Sequence, residues 1–198
     1  MSEFFQRPVV CNTSPVISLC KAGLGHVFGR LFPKVVTTTV VAAELRAKDV
    51  SDSAEIENVL STIEILPAPP LDSMLAAILD PGEASVLQIA KHHGISGVLM
   101  DERRGRRVAM DVFGFEVAGT CALLLRAKKL SLISEVRAPL DRIIVNGLFI
   151  STRLRTECLR LAGIFLRIAK ARSEFRLPEL SLGKITIRST SESSLGVP

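Results

Sequence analysis

Apolar residues fall along the chain in short runs, spaced by segments with helical periodicity. Val9, Val10 and Cys11 form a three-residue apolar strand that stops on Asn12, Thr13 and Ser14. Pro15–Ala22 then reads as a helix, with Ser14 at the N-cap, Pro15 at the first helical position and Gly23 past the end. Lys34–Thr37 is β-branched and strand-like, and Val40–Lys48 follows as a helix that places Glu44 among Val40, Val41 and Leu45. Asp52–Leu60 is a further helix with a capping-box spacing, Asp52 to Glu55. Ile63–Leu66 is a strand closed by the breaker PAPP at 67–70.

The second half repeats the alternation. Leu71–Leu79 reads as a helix, and Asp80-Pro81-Gly82-Glu83 starts another that runs to Gly94. Val98–Met100 is a strand ending on Asp101. Gly105–Phe113 is a helix, Glu116–Ala118 a strand and Thr120–Leu130 a long apolar helix, with two more near Leu140–Asn146 and Leu154–Ala162. Strands separated by helices in this way predict an α/β domain whose parallel sheet is covered on both faces. From Gly163 the period weakens, although Ile164, Phe165 and Ile168 could extend the last helix. Residues 163–198 carry six Lys/Arg and three Asp/Glu, which reads as a basic, mobile tail, so one domain is expected over 1–163 and an extension over 164–198.

Composition narrows the classes. With 47% hydrophobic residues among 198, the chain can fill a core. It has no Trp and no Tyr, which weighs against an RNA surface built on many exposed rings. A net charge of +5 and a pI of about 9.3 allow a polyanionic partner. Cys11, Cys20, Cys121 and Cys158 contain no CxxC pair and lie in apolar stretches, so all four read as small buried hydrophobes in a reducing compartment. The N-terminal MSEFFQRP lacks a basic region followed by an apolar run, and no apolar run approaches the ~20 residues of a membrane helix, so a cytoplasmic location without membrane association is expected. Gly23, Gly25 and Gly29 miss the spacing of a dinucleotide loop and follow a helix. No serine-nucleophile elbow and no zinc-like His/Cys spacing occur.

The acids sit in more informative places. Asp101 and Asn12 are the first polar residues after their strands, where ligands bind in open parallel sheets. Glu44 lies in an apolar helix, and Glu83 in the first turn of another. Each also has a purely structural reading: Asn12 as a turn residue, Glu44 paired with Lys48, Glu83 in a capping box with Asp80, and Asp101 capping the next helix. Taken together, Asn12, Glu44, Glu83 and Asp101 could meet at one end of the sheet. Carboxylates ~4 Å apart repel by on the order of 4 kcal/mol per pair near a surface. An all-oxygen cluster of that kind suits Mg²⁺ or Mn²⁺, which stabilise charge in phosphodiester hydrolysis.

The succession CNTSPVISL, VVAAEL, LDPGEASVLQIA, VLMDERRGRRVAM and FEVAGTCALLLRAKK, with NGLFIS near the end, resembles the PIN-domain family over residues 8–163. Within that family the chain is most similar to the branch close to the toxin components of toxin–antitoxin pairs. The resemblance implies a Rossmann-like, three-layer domain with a parallel sheet of about five strands, and a metal-dependent endoribonuclease. It implies Mg²⁺ or Mn²⁺ as cofactor, RNA as substrate, an antitoxin protein as partner and a homodimer. The family's first aspartate falls at Asn12, its hydroxyl residue at Ser14, and its other acids at Glu44, Glu83 and Asp101. Glu102 stands beside Asp101 as a further candidate ligand, and Arg103, Arg104, Arg106 and Arg107 as candidate phosphate contacts, or else as partners of salt bridges on a solvated helix. Asn12 keeps an oxygen ligand but removes a charge. Two other classes therefore remain beside the nuclease: a PIN-like module that binds RNA or protein without catalysis, and an interaction protein whose apolar helices, in a chain of mean hydropathy +0.35, serve an interface.

Overall fold

A computed structural model describes residues 3–47 and 53–174, with side chains described to residue 163. Five strands form one sheet: β1 (Val9–Cys11), β2 (Val35–Thr38), β3 (Glu64–Leu66), β4 (Gly97–Leu99) and β5 (Glu116–Ala118). All four pairings are parallel, in the order β3-β2-β1-β4-β5. The described helices are α1 (Thr13–Lys21), α2 (Phe28–Leu31), α3 (Thr39–Ala47), α4 (Ser53–Thr62), α5 (Ser73–Ile78), α6 (Pro81–His92), α7 (Arg103–Asp111), α8 (Thr120–Lys129), α9 (Arg137–Val145) and α10 (Thr152–Glu174). Every residue of β1, β2 and β4 is buried, as strands covered on both faces must be, whereas β3 and β5 are partly exposed edges. This is the three-layer α/β architecture expected from the alternation. Among the described residues no helix is long and apolar enough to cross a membrane.

The order places a topological switch between β1 and β4, because the chain leaves β1 toward β2 on one side and returns to β4 on the other. In such sheets the crevice beyond the carboxyl ends of the two central strands is the natural ligand site. Asn12 and the residues after Leu99 lie there. The Asn12 N–H donates to the Leu99 carbonyl at 2.9 Å and extends the β1–β4 ladder by one bond.

Several boundaries shift in ways that matter for chemistry. α1 begins at Thr13 rather than Pro15, so Asn12 and not Ser14 occupies the N-cap. β4 ends at Leu99 and α7 begins at Arg103 with Glu102 at its N-cap, so Asp101 does not cap it. The capping box of α6 is present as expected, with Pro81 in the first turn and Glu83 reaching back to the Asp80 N–H at 3.4 Å. Gly23 adopts φ +72° and ends α1 with two bonds, Gly23 N–H to Cys20 and Leu24 N–H to Leu19, both 2.8 Å. The expected Glu44–Lys48 pair and the Asp52 cap lie outside the described residues; Glu55 instead accepts the Gly25 N–H at 2.6 Å. α10 runs through residue 163 to Glu174, so the expected boundary falls within a helix. Residues 175–198 lie outside the described residues.

Candidate active site

Helices start at the carboxyl edge of the sheet after successive strands, α1 after β1, α3 after β2, α7 after β4 and α8 after β5, joined there by α6, which packs on β1, β2 and β4. Helix N-termini carry partial positive charge and unpaired N–H groups, so this edge favours anions. The acids gather against it.

Glu102 is the hub. Its Oε2 accepts the Ser14 hydroxyl at 3.0 Å and the Asn12 Nδ2–H at 3.3 Å. Asn12 is 4% exposed, and its Oδ1 is buried without a hydrogen-bond partner. A buried polar oxygen left unpaired costs about 1–3 kcal/mol. Thr13 donates to Glu44 Oε2 at 2.6 Å, so three consecutive residues at the start of α1 hold two carboxylates from distant parts of the chain. Glu44 in turn lies against the first turn of α6. A Cβ on Gly82 would stand 2.6 and 2.7 Å from its two carboxylate oxygens. Gly105 makes the same allowance for Glu83, whose Oε1 would be 2.7 Å from an added Cβ. Burial raises the pKa of Glu83, and the charges of Glu102 and Asp80 raise it further, against the lowering effect of the Asp80 N–H. Glu83 and Glu102 line one cleft with Asp80, Arg103 and Arg104.

Asp101 is arranged differently. Its Oδ1 accepts the Thr120 N–H at 2.8 Å and its Oδ2 the Thr120 hydroxyl at 2.6 Å. Burial raises its pKa, the two Thr120 bonds lower it, and Glu102 raises it again. Arg106 donates to the Met100 carbonyl at 2.8 Å on the same side. Asp101 thus fastens the first turn of α8, and its neighbour Glu102 faces Asn12. The structure therefore brings Asn12, Ser14 and Glu102 into one hydrogen-bonded group, with Glu44 joined through Thr13 and Glu83 through the shared cleft. Arg103, Arg104 and Arg107 are exposed on α7.

A PIN-domain family profile matches residues 8–164. The chain belongs to the PIN-domain family. No curated protein and no solved structure matches it. PIN domains are nuclease-type folds that typically use divalent metals. The donor set here fits such an ion in kind: oxygen atoms only, from Glu102, Glu83, Glu44 and the unpaired Asn12 Oδ1. Within this PIN domain the carboxylates are held on separate partners, and among the described residues no three Asp, Glu, His or Cys side chains close on one point.

Proposed function

We propose that the protein is a Mg²⁺- or Mn²⁺-dependent endoribonuclease that hydrolyses RNA phosphodiester bonds. Membership of a nuclease family supports the reaction class, and one observation supports this site within it: the buried, unpaired Asn12 Oδ1 beside Glu102 at the β1–β4 switch. The candidate ligands are Glu102, Glu83, Glu44 and the Asn12 oxygen, whose side chains would have to draw together around the cation from the separate partners they now hold. When bound, that ion supplies Lewis acidity for the charge that builds on the phosphate oxygens. The chain's own residues do the positioning. Ser14 and Asn12 fix Glu102, Thr13 fixes Glu44, and Asp101 anchors α8 beside them through Thr120. Arg103 and Arg104, exposed where α7 starts, can hold flanking phosphates at the cleft that Glu83 and Glu102 line. A homodimer and an antitoxin partner belong to the same proposal. The exposed Val145, Phe149 and Leu154, near the junction of α9 and α10, offer an apolar surface for protein contact.

One observation favours the second reading, a PIN-like RNA- or protein-binding module without catalysis. The Asn12 amide already donates to Glu102, which a first aspartate could not do. Incubation of labelled single-stranded RNA with Mn²⁺, and separately with EDTA, decides between them. The nuclease reading expects internal cleavage in Mn²⁺ alone. Intact RNA that is retained by the protein in both conditions would overturn it in favour of the binding module.

A further inference from the structure

Two of the four thiols, separated by 37 residues in sequence, meet in the fold. Cys121 is in the first turn of α8 and Cys158 is on α10, and these two helices pack together. The Cys158 thiol donates to the Cys121 carbonyl oxygen at 3.9 Å. Their accessibility differs. Cys121 is part-exposed on the wall of a cavity of about 350 Å³ that Phe5, Asp101, Arg106, Gly119 and Leu154 also line. Cys158 sits behind it at 1% exposure. Leu154, one turn earlier on α10, is 48% exposed at the same cavity. Cys11 and Cys20, at 0% and 2%, have no comparable access. An accessible thiol with a second thiol directly behind it is the arrangement that lets a mixed disulfide resolve into an internal one.

We propose that Cys121 and Cys158 are a thiol-modification site that closes to a reversible disulfide by exchange with a low-molecular-weight disulfide of the glutathione class. The neighbouring Cys158, burial and the Asp101 carboxylate push the Cys121 thiol above its ordinary range, so exchange is slow at neutral pH and quickens as pH rises. The Cys121 thiolate, once its proton has gone to solvent, attacks one sulfur of the small disulfide. A mixed disulfide forms and the first small thiol leaves with a proton. Cys158 then attacks the Cys121 sulfur, a second small thiol leaves with the other proton, and the Cys121–Cys158 bond remains. Two protein thiols are oxidised, and one small disulfide is reduced to two thiols. In a reducing compartment such paired thiols serve as redox sensors more often than as permanent staples. The bond forms one residue after Thr120, whose N–H and hydroxyl hold Asp101, so it fixes α10 onto α8 beside the candidate site. This inference does not depend on the protein being a nuclease.

The test uses the full chain, reduced and then exposed to oxidised glutathione, followed by non-reducing peptide mapping. The expected result is one linked peptide pair joining Cys121 to Cys158, two equivalents of glutathione released, and full reversal by dithiothreitol. Closing this loop should also raise Tm by roughly 5–15 °C. Cys158→Ser should stop at the mixed disulfide on Cys121, and Cys121→Ser should not react. A stable mixed disulfide on the wild-type chain, a linkage through Cys11 or Cys20, or no reaction would each overturn the proposal. The wild-type map decides this even if a variant fails to fold.

Discussion

Asn12→Asp introduces a carboxylate beside Glu102, and the geometry says what it should cost. The Asn12 Nδ2 stands 3.3 Å from Glu102 Oε2 as a donor. The substitution removes a bond to a charged group, worth about 1.5–3 kcal/mol, and places two anions at that separation, about 4–5 kcal/mol at an effective dielectric of about 20. Glu102 is only half-buried and keeps its Ser14 bond, so rotation and solvent recover much of this. A net loss of about 1–3 kcal/mol is expected without metal, which for a chain of this size lowers Tm by roughly 2–10 °C. A bound divalent cation reverses the sign of the effect, because the new carboxylate then becomes a charged ligand. The assay is thermal unfolding of both proteins in EDTA and in millimolar Mn²⁺. In EDTA the variant should melt below the wild type, and Mn²⁺ should raise its Tm by more than that of the wild type. Equal stability in EDTA together with equal metal shifts would refute the placement of Asn12 against Glu102 in a cation site.

Three further outcomes follow from the same geometry. Thr120→Val removes the hydroxyl donor at 2.6 Å from Asp101 but leaves the backbone N–H, so urea denaturation at neutral pH should show a loss of about 1.5–3 kcal/mol. The loss should shrink as pH falls through the Asp101 pKa. Glu83→Gln keeps the acceptor for the Asp80 N–H but removes a buried charge whose folded-state pKa lies above its ordinary value of 4.5. The folded protein then binds the extra proton, so wild-type stability falls as pH rises from about 4.5 through the raised value. In EDTA the variant should therefore melt above the wild type at neutral pH and show no advantage near pH 4, and a constant difference would contradict this. Gly82→Ala would place a methyl 2.6 Å from Glu44 Oε1, and a flexible side chain can move aside. Calorimetric Mn²⁺ titration should show affinity reduced about 10–100-fold with little change in Tm.

Much of this arrangement was legible before the fold was known, and the misses have physical reasons. β1 falls where the apolar run Val9–Cys11 puts it, because a short buried strand is fixed by an apolar run between polar breaks, and β5 has the expected bounds Glu116–Ala118 at the sheet edge. The α6 start was readable because Asp80, Pro81 and Glu83 act locally. The Ser14 role was not, since its hydroxyl goes to Glu102, 88 residues away. That Asp101 bonds Thr120 while Glu102 faces Asn12 depended on where β4 ends. A one-residue difference reverses which side chain faces the crevice, and the run Val98–Met100 overshoots β4 by one residue at its end. The Cys121–Cys158 contact arises from helix packing between α8 and α10 and has no spacing signature. Gly82 carried an unused signal: a glycine beside an acid, here Glu83, can mark close approach of a second carboxylate, here Glu44.

The central claim is that Glu102, rather than Asp101, faces the reaction at the β1–β4 switch. Its most direct test is the rate of Mn²⁺-dependent cleavage of single-stranded RNA by Glu102→Gln and Asp101→Asn side by side with the wild type. The account predicts a loss of at least about 100-fold for Glu102→Gln and of less than about 10-fold for Asp101→Asn, whose amide can still bond Thr120. The reverse order, or wild-type rates in Glu102→Gln, would contradict it.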